Sequence, residues 1–166
     1  MIHPLVFIPH PVLLTPAEPV TRFDDALQAL IDDMFETMVH AKGVGLAAPQ
    51  IGVSLQLSVI DVTCDRTQPL VLINPEIVHA EGKALYEEGC LSIPGVYAKI
   101  ERATQVTLRA LDRTGNPFEM HADGLLGECF QHEVDHLKGR LFIDYLSPLK
   151  RALIRRKFEK HMRTRV

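Results

Sequence analysis

The stretch His132-Glu133-Val134-Asp135-His136 places the tightest limit on what this chain can become. On an α-helix residues four apart are neighbours, so both imidazoles point the same way and can hold one metal ion. Glu133 then lies beside that ion, where it can take a proton from a water molecule that the ion has acidified. The helix is essential, because five residues on a strand would not place the groups in this way. A pattern this short also arises by chance on a solvated helix face. Here the preceding Leu125-Leu126-Gly127-Glu128-Cys129-Phe130 and the following Leu137 give the segment the apolar content of a core helix. Two histidines buried in a core need partners, and a shared metal provides them.

The rest of the chain supplies a frame for that helix. Asp123 is a suitable cap for a helix running to about Leu137, with Gly139 beyond its end. Before it, Val106, Leu108 and Ala110 alternate along a strand, Arg113-Thr-Gly-Asn116 turns the chain, and Phe118–His121 returns as a hairpin. Leu27, Leu30, Ile31, Met34 and Met38 recur at helical spacing within a helix from Thr21 to Ala41, capped by Asp24 or Thr21 and stopped by Gly43. Gly43–Gly52 is too rich in glycine and proline for a helix interior and reads as an ordered loop. It leads into a strand at Leu55–Val62, and Leu70–Ile73 is a second short strand ended by Asn74-Pro75. Ser147-Pro148 opens a last helix, serine at the cap and proline in the first position. Several strands and three helices without regular βαβ alternation give an α+β fold. Its mixed or antiparallel sheets pack around the central helix, with further helices toward the two ends. A length of 166 residues favours one domain spanning 1–166.

Cysteine and charge narrow the setting. The segment Met1–His10 lacks a basic region and an apolar signal core, and no run approaches the ~18 apolar residues that cross a bilayer. A cytoplasmic protein is expected, with no membrane partner. Cys64, Cys90 and Cys129 are odd in number and widely spaced, the pattern of buried, metal-bound or reactive thiols rather than disulfides. Cys64 reads as a small buried hydrophobe. Residues 147–166 carry eight Lys/Arg against the single acid Glu159, while the remainder holds ten basic and twenty acidic side chains. Solvated positive helices are common, but a tail of one sign also suits a polyanionic partner.

A catalytic site of this kind takes a third protein ligand and keeps one position open. Phe142 stands where one zinc-peptidase pattern would place a third histidine, which removes that option. Glu159, twenty-three residues after His136, is the choice of a second pattern, although pairing with Arg155, Arg156 or Arg163 explains it as well. The remaining source is Cys90, in Glu87-Glu-Gly-Cys-Leu-Ser-Ile-Pro94. Its thiolate would complete a Cys-His-His set softer than usual peptidase ligands and suited to iron(II) as well as zinc. A nucleophilic Cys90 without metal is a further reading.

Three segments in register are similar to the signature motifs of peptide deformylases: Gly43-Val-Gly-Leu-Ala-Ala-Pro-Gln50, Glu88-Gly-Cys-Leu-Ser92 and Gln131-His-Glu-Val-Asp-His136. Asp32–Met38, Leu72–Glu76 and Ala122–Leu126 resemble the same family, so the likeness spans nearly the whole chain. The resemblance implies removal of the N-formyl group from the initiator methionine of newly made polypeptides. It assigns Cys90, His132 and His136 to one divalent metal ion, natively Fe(II), with Zn, Ni or Co able to occupy the site in purified protein. Glu133 becomes the general base and later the donor to the departing amine, and the Gln50 amide with the Leu91 backbone N–H holds the oxyanion. Val44, Gly45, Tyr86, Gly89, Leu125, Glu128 and Cys129 are implied to contact substrate, Gly45 through its backbone. Glu128 and Tyr86 depart from the commonest family residues and bear on pocket shape. Glu88 and Arg102 brace the strand that carries Cys90 if the likeness holds, and are otherwise a surface ion pair of little weight. The basic helix 147–166 is implied to dock on the ribosome near the exit tunnel, and no DNA partner is implied. Deleting 149–166 is then expected to weaken that docking and spare turnover. An inactive ribosome-binding relative would show a lost base or ligand, and none is lost here.

Overall fold

The computed structural model describes residues 1–63 and 67–164, so Cys64 and Arg165 of the basic tail lie outside the described residues. The elements run α1 (Pro11–Leu14), α2 (Asp25–His40), β1 (Gly45–Ala47), β2 (Leu57–Ile60), β3 (Leu70–Glu81), β4 (Ala84–Cys90), β5 (Ile93–Arg102), β6 (Gln105–Leu111), β7 (Pro117–Asp123), α3 (Gly124–Leu137) and α4 (Pro148–Arg163). A five-stranded antiparallel sheet has the order β1-β2-β3-β6-β7, and β4 and β5 form a separate two-stranded sheet. The class is α+β, as the pattern of elements indicates.

Alternation along β2 and β3 explains how one sheet serves two helices. Leu57, Val59 and Ile73 face α2, which buries Leu27, Ile31, Met34 and Met38 against them. Ile60 and Leu72, one residue out of phase, face Cys129, Phe130 and Val134 of α3, together with Val106, Leu108 and Ala122. Strand β2 is buried along its whole length for this reason. A third cluster joins Ile93, Val96 and Ile100 of β5 to Phe142 and Ile143 of a 3₁₀ turn and to Phe158 of α4. That packing makes α4 part of the body, so deleting 149–166 would uncover this cluster as well as remove charge. No helix among the described residues is long and apolar enough to cross a membrane.

Three local expectations change. Helix α2 starts at Asp25, with the Asp24 carboxylate accepting the Leu27 N–H at 3.0 Å, so Thr21 stays outside it. The stretch Gly43–Gly52 is not all loop: Gly45–Ala47 pairs with β2, and Ala48–Ile51 forms a 3₁₀ turn. Strand β3 does not stop at Asn74-Pro75. It bulges there, with Asn74 left-handed at φ 49° and the register on β6 shifting between Ile73 and Glu76. Asn74 tolerates that conformation, its side chain grips the Val20 backbone at 2.9 and 3.0 Å, and Pro75 sits where the ladder is interrupted. In the β4–β5 hairpin, β5 turns Val96 and Ile100 inward at alternate positions, but β4 turns Glu88 inward, which breaks the apolar alternation on the strand that carries Cys90.

Candidate metal centre

Two elements meet to build the centre. Asp123 precedes α3, whose buried face carries Glu133, Val134, His136 and Leu137 into the core. The end of β4 delivers Cys90 at a turn too tight for a long connection, since Cys90 pairs with Ile93. The Cys90 Sγ lies 3.3 Å from His136 Nε2, and that nitrogen lies 3.1 Å from His132 Nε2. Among the described residues these three form a donor set whose ligand atoms all fall within 4.8 Å of one another. Ligands at ~2.0–2.3 Å from one ion enclose such a triangle, so the residues fit a single divalent cation with a position left open. Burial, with His132 and Arg102 nearby, holds His136 well below the usual imidazole value, whereas His132 is held well above it, burial being outweighed by hydrogen bonds to Cys90 and Glu88. Glu159 is exposed on α4 and outside the set, which removes it as third ligand.

A buried ionic network orients the donors. Glu88 accepts from the Arg102 guanidinium at 2.7 and 2.9 Å and contacts His132 Nδ1 at 2.9 Å. Burial alone would raise the Glu88 carboxyl, but the hydrogen bonds from Arg102 and His132 outweigh it and hold it at about 2. The pair is therefore buried and charged, not a surface bridge. Arg102 also donates to Asp135 at 2.7 Å and lies over the Tyr145 ring, whose hydroxyl donates to the same carboxylate at 2.8 Å. In the sequence neither Asp135, within the His132–His136 stretch, nor Tyr145 declares a role of its own. Their separations of 33 and 43 residues from Arg102 leave no local signal to find them by.

Glu133 is buried beside the donors, with Oε1 unpartnered among the described residues. Burial raises its carboxyl to about 7 against the opposing pull of His132 and Ser58, which gives it appetite for a proton. Its other oxygen packs on Gly45, where a Cβ would sit 2.5 Å away, so the glycine is a steric requirement of the carboxylate. Gln50 stands on the 3₁₀ turn, buried. Its Oε1 accepts from Ala47 N at 2.9 Å, which fixes the amide so that Nε2 faces Ser92 Oγ at 3.2 Å and Cys90 Sγ at 3.6 Å. Leu91 follows Cys90 directly in the hairpin turn.

A cavity of about 790 Å³ opens onto these groups, and Val44, Gly45, Gly89, Leu125, Glu128 and Cys129 all line it. Tyr86 does not. It sits four residues before Cys90, ~13 Å back along the strand. Tyr97 of β5 lines the cavity instead, its ring so close over Gly89 that a Cβ there would approach to 2.6 Å. A glycine inside a strand signals such an approach, and Gly89 carried it. Burial, followed by the negative Glu88, pushes the Glu128 carboxyl up to about 7. Burial first, then the carboxylates of Glu133, Glu128 and Glu88, push the Cys129 thiol well up, so it packs rather than reacts.

Comparison with known proteins agrees over nearly the whole chain. The sequence model of the polypeptide deformylase family matches residues 2–152. A peptide deformylase of Acidobacterium capsulatum is 54% identical over 165 residues, covering 98% of this chain and 97% of that protein. Peptide deformylase 2 of Xanthomonas axonopodis pv. citri is 52% identical over 95% of this chain and 94% of its own length. The crystal structure of a peptide deformylase from Legionella pneumophila superposes with a TM-score of 0.97 at 55% identity, covering 99% of this chain and 97% of that one. That of Synechococcus elongatus, in complex with actinonin, gives 0.89 at 43% identity over 96% and 87%.

Proposed function

Because the chain belongs to the polypeptide deformylase family, we propose that the centre on α3 and β4 hydrolyses the N-formyl group of formyl-methionine on new polypeptides, releasing formate. The enzyme is a metal-dependent hydrolase of N-terminal processing. The observation that carries the reading is the triangle of Cys90, His132 and His136 ligand atoms within 4.8 Å, with Glu133 buried alongside. A divalent cation held there supplies a Lewis acid for the formyl oxygen and lowers the pKa of water. Glu133 takes the proton of the attacking water and passes it to the amine as the C–N bond breaks. Gln50 Nε2 and the Leu91 N–H donate to the oxygen on which charge develops. Gly45 and Val44 align the peptide, and Leu125, Cys129 and Glu128 border the methionine side chain.

The native ion is Fe(II), in keeping with one thiolate beside two imidazoles, and Zn, Ni or Co can replace it. Protein purified without oxygen should release formate from formyl-Met-Ala in proportion to its metal content. Cys90→Ala should bind less than about a tenth of the parent's metal, since second-shell losses alone cost 10–100-fold. Stoichiometric metal in that variant would remove Cys90 from the set.

Cytoplasmic residence and docking on the ribosome near the nascent-chain exit complete the reading. Lys150, Arg155, Arg156, Lys157 and Lys160 are exposed on α4 while Phe158 is buried against β5. Neutralising Arg155, Arg156, Lys157 and Lys160 to glutamine leaves that packing intact. Co-sedimentation with ribosomes should then fall about tenfold at low salt, with formyl-Met-Ala turnover kept. Unchanged co-sedimentation would refute the role of the helix.

A further inference from the structure

The charged residues of the cavity wall are sorted by element. Glu87, Glu88, Glu128 and Glu133 come from β4 and α3, whereas Lys42 follows the end of α2 with His40 before it, and His161 comes from α4; the remaining histidine of the wall, His132, belongs to the donor set. The backbone at the lysine is fixed. Helix α2 closes with Lys42 N–H on Val39 O at 3.0 Å and Gly43 N–H on Met38 O at 2.9 Å, the paired bonds that end a helix in a left-handed residue. That residue is ordinarily glycine, and here Lys42 adopts φ 60°. A side chain kept in a backbone position that disfavours it points to use of the side chain. Among the described residues Lys42 enters no ion pair. His161 is fixed opposite β5, its ring pressed on Gly95 so that a Cβ there would lie 2.6 Å from Nδ1.

Distance relates this rim to the substrate. Gly45 packs on Glu133, and Gly43 on Leu91. Lys42 is thus three residues from the point where the base touches the chain, at most ~11 Å away. A formylated peptide lying extended places its third residue roughly 10 Å from the reacting carbon. We infer that Lys42, flanked by His40 and His161, forms a cationic subsite that selects an acidic side chain at the third residue of the formylated peptide. This rests on the deformylase reading and adds to it a preference that the metal centre cannot supply.

Formyl-Met-Ala-Xaa peptides with Xaa as Glu, Gln or Lys test it on the metal-loaded enzyme. The Glu peptide should exceed the Lys peptide in kcat/KM by about fivefold at low salt, the size of an exposed charge interaction set against its reversal. In 1 M salt, where the Debye length is ~3 Å, the ratio should approach one. Lys42→Gly should melt no lower than the parent, because glycine suits that backbone, and bring the ratio to within about twofold. Lys42→Glu should invert it. Equal turnover of all three peptides by the parent overturns the subsite alone, as does a Glu preference indifferent to both variants. Failure to process any of the peptides overturns the deformylase reading and this inference with it.

Discussion

Replacing Glu133 by glutamine should leave the metal content unchanged and lower formate release by about a thousandfold. The glutamine keeps the volume that packs against Gly45, so the cavity wall should hold its shape. It loses the one group beside the donor triangle that can take a proton from water and return it to the amine. Burial keeps the carboxyl's proton affinity near 7 where an exposed glutamate would be at 4.5, which matches a base working at neutral pH. The thiolate and both imidazoles are untouched, so metal analysis and turnover should separate cleanly. Retained turnover would remove Glu133 from the reaction. Loss of metal together with activity would make it a structural prop instead.

The legible parts of this molecule are those whose signal is local. His132, Glu133 and His136 declare themselves because four-residue spacing on a helix is a geometric statement. The α2 cap and the β6–β7 hairpin are read from a few adjacent residues in the same way, whereas Asp123 stands at the start of α3 without its side chain capping the helix. Cys90 is less visible. Its place beside the histidines depends on strand β4, whose one fully buried position is the charged Glu88, so period-two apolar alternation does not reveal it even though β5 buries Val96 and Ile100 in that rhythm. It is the similarity of three motifs in register, not any pattern within Glu87–Pro94, that connects it to α3. Pro75 misleads in the opposite sense, since a proline ends a regular strand but fits a bulge. The Arg102, Asp135 and Tyr145 contacts are the least legible, because they arise only when β5, α3 and the following 3₁₀ turn have packed.

That network sets the second large effect. Arg102→Met removes the cation between two buried carboxylates while roughly conserving side-chain volume, so Glu88 and Asp135 are left uncompensated in the core. Breaking a buried ion pair by removing one partner costs about 3–5 kcal/mol, which for a chain of this length lowers Tm by on the order of 10 °C. Changing Glu88 to glutamine and Asp135 to asparagine in the same protein should restore part of the loss, because no bare charge then remains. Acid provides an independent readout. Glu88 is held at about 2 in the folded protein against an ordinary value of 4.5. The charged form is thus favoured by folding, and its contribution is complete above pH 4.5 and is lost as pH falls toward 2. In Arg102→Met the main cause of that depression is gone, so urea unfolding at pH 6 and pH 3 should differ less than in the parent. Equal stability of parent and variant at pH 6 would mean that the three charges are solvated, and that Glu88 reaches His132 without the guanidinium to hold it.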